Sequence, residues 1–307
     1  RDDLDLVCRA SQDGFLDGMM DLHWPAMFVN AVTYIGLRSA AAFARRQVRP
    51  DMVAKWSSLA DDVQTAWNAK LAVGGDANER TLICGLHPSW IITRQDDYRG
   101  LLGRDRATTR EHEALVASPL WTYFEVAKTH QWLLLGEVER VWADLGWFWD
   151  HQTSDGLYTW WEGSGEENTF HRWEEARGWM NPPHVTPHYW TAAEMLLLQL
   201  SMLAYVDESQ PDSPLVVGAG LCAGWLSSTL RVGGLATRYG NVGWTLEEGI
   251  LTVLTDLPTR VELGAGLPVG TNVIHLVGRE HPTRPAPART HGIDGGNGER
   301  ALGNETA

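Results

Sequence analysis

Three segments of this chain are apolar around the whole helical circumference, and they constrain the fold more than any other feature. They run from about residue 25 to 46, 119 to 135 and 188 to 206. "AMFVNAVTYIGLRSAAAFA" and "AEMLLLQLSMLAY" lack a polar stripe, so both helices are expected to be buried on every side. Two amphipathic segments lie between them. Met52, Trp56, Leu59, Val63, Trp67 and Leu71 recur at spacings of three and four, as do Val138, Val141, Trp142, Leu145, Phe148 and Trp149. Pro50 opens the first and Gly136 precedes the second, both fitting boundary residues. Buried and amphipathic helices therefore alternate. The pattern predicts a mainly α fold with an inner and an outer ring of helices, an α/α toroid.

The connections are unequal. The inner-to-outer turns are tight, whereas residues 74–118 and 152–187 are long loops of the kind that carry function. Both are expected at one rim, where the inner helices begin, so that Trp24, Trp90, Trp161 and Trp190 surround a common concavity. After Asp207, "QPDSP" reads as a linker. "TLRVGGLAT", "VGWTLEEG", "ILTVLTD" and "TRVEL" then read as strands of a small antiparallel β domain. The predicted division is a helical domain over 1–208, a β domain over 209–278 and a disordered tail over 279–307.

The formal net charge is −14, with a sequence pI near 5.2. Nucleic-acid binding relies on clustered Lys and Arg, so no nucleic-acid partner is expected. No apolar run reads as a membrane span, and no membrane partner is expected. Cys8, Cys84 and Cys222 are scattered and odd in number, which suits reduced thiols and a cytoplasmic location. The chain begins at Arg1, and "DDLDLVCRA" resembles a helix already in progress, so an upstream portion is expected. The chain has 16 tryptophans, ten of them between Trp121 and Trp190. Aromatic faces stack on the apolar faces of sugar rings, which favours a carbohydrate partner.

"GLYTWWEG" sets Glu162 directly after Trp160 and Trp161. As a functional residue, Glu162 is a general base or nucleophile, with Trp160, Trp161 and Trp179 walling a sugar site. The alternative is a loop glutamate paired with Arg172 or Arg177. Asp21, on the first rim loop, is the acid candidate within this chain. His184 and His188 are four apart, but Pro182, Pro183 and Pro187 break any helix through them, so no metal is expected there and no cofactor is implied. Both histidines suit hydrogen bonds to sugar hydroxyls. Glu125 and Glu194 lie on apolar helices, where a carboxylate needs a partner. Each either touches substrate in the lumen or pairs with Arg or His. "HEALV" at His112 lacks the second ligand of a zinc-protease motif.

"LYTWWEG", followed by "VTPHYWTAAEMLLLQLSMLAY" and then a β region, resembles the six-hairpin glycosidase superfamily, and within it the α-L-rhamnosidases. The resemblance implies a Thr-x-Trp-Glu loop before the last inner helix, matched here by Thr159, Trp161 and Glu162. It also implies a glutamate acting as general base in an inverting hydrolysis. Only three inner helices are present where six hairpins close a barrel, so the resemblance implies a C-terminal portion, with the general acid upstream. A partial barrel is expected to self-associate through its exposed surface.

Two other function classes stay open. Polysaccharide lyases and sugar epimerases also use helical toroids, with His or Tyr acting on a carbon-bound proton; His184, His188, Tyr158 and Tyr189 are the candidates. A non-catalytic carbohydrate-binding fragment is the third reading.

Overall fold

The computed structural model describes residues 26–75, 79–111, 114–115, 120–152, 156–164 and 187–278. About half of these are helical: α1 (Ala26–Arg46), α2 (Pro50–Ala72), α3 (Glu79–Leu82), α4 (Gln95–Thr109), α5 (Thr122–Leu134), α6 (Val138–Asp150) and α7 (Tyr189–Leu203). The helices pack as an α1–α2 hairpin and an α5–α6 hairpin, with α7 laid against α5. Two of them end on glycine for a local reason. Gly136, at φ 82°, lets its own N–H reach Leu133 O and lets Glu137 N–H reach Trp132 O, which satisfies carbonyls at the end of α5. Gly74 and Gly75 close α2 the same way, on Leu71 O and Lys70 O.

α5 and α7 run side by side in the same direction. Thr122 meets Thr191 at one end, His130 meets Glu194 midway, and Leu134 and Ser201 line one cavity at the other end. α5 is the helix that is buried nearly all round, from Glu125 to Leu133. The expectation that α1 and α7 are buried on every side is corrected. Val32 and Phe43 on α1 and Leu196 and Leu197 on α7 are exposed, so each helix buries one apolar face and leaves another open among the described residues. α1 is long and apolar enough to cross a membrane by length and composition. Its inner face nevertheless packs on α2, where the Trp67 indole N–H donates to Met27 O at 2.9 Å.

The segment expected to be a long loop, 74–118, holds α3, α4 and a two-residue hairpin, β1 (Arg110–Glu111) with β2 (Ala114–Leu115). Its non-helical middle is clamped by buried side chains. Asn68 Nδ2 donates to Ile91 O, Gln131 Nε2 donates to His87 O at 2.7 Å, and Tyr98 OH donates to Leu82 O. Arg106 on α4 and Arg110 just after it also enter a buried ion network. Arg106 and Arg110 hold Asp144, Arg110 holds Glu125 at 2.8 Å, and Lys128 holds Glu125 and Asp105. Three cations thus face three anions. That balance is what allows six ionisable groups to leave water together.

The β region contains two mixed sheets rather than a wholly antiparallel one. β5 (Ala204–Val206) pairs antiparallel with β6 (Leu215–Val217), and β10 (Val261–Leu263) pairs parallel with β6. The second sheet joins β7 (Leu230–Thr237), β8 (Gly240–Glu247) and β9 (Ile250–Thr255) antiparallel, and adds β11 (Asn272–Val277) parallel to β9. "QPDSP" is therefore the loop of the β5–β6 hairpin, not a linker. The second core, with Leu215, Val242, Trp244, Leu251 and Val253, joins the helices through Trp142. The Trp142 indole N–H donates to Gly220 O at 2.9 Å, and its ring stands edge-on to Trp225.

Glu79 sits beside the ion network, and burial pushes its carboxyl up to about 6 against the pull of Lys128. A raised folded pKa means that folding is penalised once the group ionises. The penalty is absent below the ordinary value near 4.5 and complete above about 6. Glu79→Gln is therefore expected to stabilise the protein at pH 7 by up to about 2 kcal/mol and to change nothing near pH 4. Urea unfolding at the two pH values checks this; equal effects at both would refute the assignment.

Candidate functional site

The first N–H groups of a helix have no partner within the helix. At the shared N-terminal end of α5 and α7 they are used to hold the "TWWEG" loop. A two-residue pairing of β3 (Leu120–Trp121) with β4 (Gly163–Ser164) sets the register. Thr122 N–H donates to Glu162 O at 3.0 Å, and His188 N–H donates to Trp160 O at 2.8 Å. The Thr122 hydroxyl donates to Trp161 O and lies 2.8 Å from Thr191 Oγ1, which in turn is 2.7 Å from His188 Nδ1. Both threonines are fully buried. The loop is thus fixed by its backbone, which leaves its side chains to point where sterics allow.

Trp160 points inward. It is 1% exposed, its indole N–H donates to Phe148 O at 2.8 Å, and its ring stands edge-on to Phe148. It anchors the loop to α6 and does not wall a sugar site as expected. Trp161 is half-buried, and its indole nitrogen has no hydrogen-bond partner among the described residues. The Glu162 side chain is 31% exposed, with Oε1 3.9 Å from His188 Nε2. Burial pushes the His188 imidazole below its ordinary value. It is therefore a neutral neighbour of Glu162 near pH 7, beyond hydrogen-bond distance, and not a compensating cation. Tyr123 stands edge-on to both His188 and Trp190, and Trp190 is 66% exposed. Burial, and then the charge of Glu194, raises the Tyr123 phenol, which stays protonated.

The remaining candidates divide. Glu125 is 1% exposed and held by Arg110 and Lys128. It lies five residues from His130, about 140° around α5, so it faces away from the side that meets α7. Glu194 does face that side, and it too is paired. His130 Nδ1 lies 2.7 Å from its Oε1 and His87 Nδ1 lies 3.9 Å away. Burial alone would raise this carboxyl; the His130 hydrogen bond and the two imidazoles outweigh it and hold Glu194 below its usual value. Asp21, Trp24, Trp179 and His184 lie outside the described residues.

Trp90 corrects the expectation of a single rim. It stacks on Tyr205, at the C-terminal end of α7. Trp190 lies near the other end, thirteen residues before Leu203, or roughly 20 Å at helical rise. Trp90 and Trp190 therefore lie at opposite ends of α7, while His87 of the same HPSW loop reaches back to Glu194. The HPSW loop instead brings His87 to Glu194 and His130, a grouping no spacing in the sequence announces, since the three residues come from separate segments. Their potential ligating atoms lie within 4.8 Å of one another.

No protein-family model matches the sequence, and no curated protein matches it. The chain is similar in structure to a GH78-family rhamnosidase from Bacillus sp. GL1, with 16% identity and a TM-score of 0.47. The match covers 83% of this chain and 28% of that one, so this chain spans little more than a quarter of the rhamnosidase. At that TM-score the likeness says nothing about this chain's chemistry.

Thr122→Val keeps the shape of the first turn of α5 and deletes the hydroxyl that serves Trp161 O and Thr191. Leaving those buried groups short of a partner is expected to cost about 1–3 kcal/mol in chemical unfolding. A loss below a few tenths would show that the backbone pairing alone holds the loop.

Proposed function

We propose that the chain carries the base half of a glycoside hydrolase site on an α/α toroid, with Glu162 as the general base. The observation that carries the reading is the approach of Glu162 to His188, 3.9 Å apart, beside Tyr123 and the exposed Trp190. An ionised Glu162 accepts a proton from water as the oxygen attacks the anomeric carbon. The Trp190 face suits the apolar side of a sugar ring, and neutral His188 suits a hydroxyl. A second carboxylate must protonate the leaving oxygen, from about 6.5–9.5 Å away in an inverting reaction. Asp21 is that candidate within this chain.

A lyase or epimerase is the second reading, favoured by one feature. His188 is a neutral imidazole with the Tyr123 phenol beside it, a pair suited to moving a carbon-bound proton. The two separate by product, since a lyase releases an unsaturated sugar that absorbs in the ultraviolet.

The test is turnover of a panel of aryl glycosides, an α-L-rhamnoside among them. Glu162→Gln removes basicity while keeping shape, and kcat is expected to fall on the order of 10²–10⁴-fold with little change in KM. Near-normal turnover in the variant would sink the base assignment. Sugar binding without turnover by the unaltered chain would favour a binding role.

A further inference from the structure

His87, His130 and Glu194 reach one point from three parts of the chain: the loop between α3 and α4, the middle of α5 and the middle of α7. The rim chemistry does not use them. His130 and Glu194 are buried, and the Nε2 atom of His130 has no hydrogen-bond partner among the described residues. The His87 ring stacks on His130 at 4.3 Å, so two imidazoles and one carboxylate oxygen meet at one place. Two imidazole nitrogens and a carboxylate oxygen are the donor set that zinc and its first-row neighbours take.

We propose that His87, His130 and Glu194 form a binding site for a divalent first-row transition cation of the zinc type. The distances bracket what such an ion needs. With bonds of ~2.1 Å, tetrahedral ligands stand roughly 3.4 Å apart. The Glu194 Oε1 atom is 2.7 Å from His130 Nδ1, which must open, and 3.9 Å from His87 Nδ1, which must close. The two rings lie only 25° from parallel, so their lone pairs do not yet converge. His87 is the ring with room to turn. Its side chain is 29% exposed, it sits on a loop, and it borders a cavity of about 270 Å³. His130 and Glu194 are set on packed helices and supply the fixed pair of ligands.

Several features suit this role. Burial, and then the neighbouring His130, push the His87 imidazole down to about 4, so it offers a lone pair near neutral pH. Glu194, held below its ordinary value, is ionised there. Uptake of the ion replaces the hydrogen bond between His130 Nδ1 and Glu194 Oε1 with two bonds to the metal. The nitrogen-rich set disfavours calcium and magnesium, which seek oxygen ligands. His87 and His130 both border the cavity, whose walls include Trp90, Ser201, Tyr205 and Glu208, which leaves room beside them for water or a small anion.

The proposal stands independently of the sugar reading, because metal binding is measured without turnover. The chelator-stripped chain is titrated with zinc chloride by calorimetry, and with cobalt(II) followed by visible absorption. One saturable site of micromolar or tighter affinity is expected, with cobalt bands of four-coordinate intensity. His87→Ala, which alters a partly exposed loop residue, should weaken zinc at least roughly tenfold, whereas His151→Ala should leave it unchanged. Glu194→Gln should weaken it too, with folding checked by circular dichroism. Absence of saturable binding overturns the site. Binding that His87→Ala leaves intact also overturns it, since the ion would then sit on histidines elsewhere.

Discussion

The hydroxyl of Thr122 occupies the junction on which the placement of the Glu162 loop depends. It serves the Trp161 carbonyl on one side and Thr191 on the other, at the point where α5, α7 and the Glu162 loop meet. Each of the three elements has unmet backbone groups there. The two helix starts carry N–H groups without partners, and the loop carries carbonyls without partners. Joining them satisfies both sets at once. A carboxylate that must keep one orientation needs that kind of support, because a loop glutamate on a free backbone would sample many positions.

The second constraint is electrostatic. α5 carries Glu125, Lys128 and Thr129 on one face and Tyr123 and His130 on the opposite one. The first face is neutralised by Arg106, Arg110, Asp105 and Asp144, and the second meets Glu194 on α7 and His188 just before it. One helix therefore separates a structural ion cluster from the groups with chemical potential. The distinction decides how its glutamates are read. Glu125 has two cations against it and little to offer a ligand. Among the described residues Glu194 is faced by the His130 and His87 rings and by no Arg or Lys ion pair.

Helices were legible in the sequence wherever their apolar period was strong, and α1, α2, α5, α6 and α7 lie within a few residues of expectation. α4 was not, because Gly100, Gly103 and a run of charges mask it. The spacing of Tyr98, Leu101 and Leu102 was its one readable signal. Strand β11 escaped because it joins β9 in parallel, and parallel partners share no turn to mark them. Glu162 and His188 stood out in the sequence by type and by the aromatics around them, and their approach to 3.9 Å depends on the fold. The inward turn of Trp160 was not legible, since its partner, Phe148 O, is a backbone group with no sequence signature. The meeting of His87, His130 and Glu194 depends on how the HPSW loop is clamped by Asn68, Gln131 and Tyr98, which only the packed fold reveals.

Loop carbonyls cap the two helix starts and thereby fix the Glu162 loop. Amide hydrogen exchange of Thr122 and His188, read residue by residue, tests it directly. Both are first-turn amides that would exchange as fast as open loop if they faced water. The account predicts protection comparable to that of the α5 interior at both positions. Exchange at both at the rate of an unprotected loop would contradict it, and with it the fixed placement of Glu162.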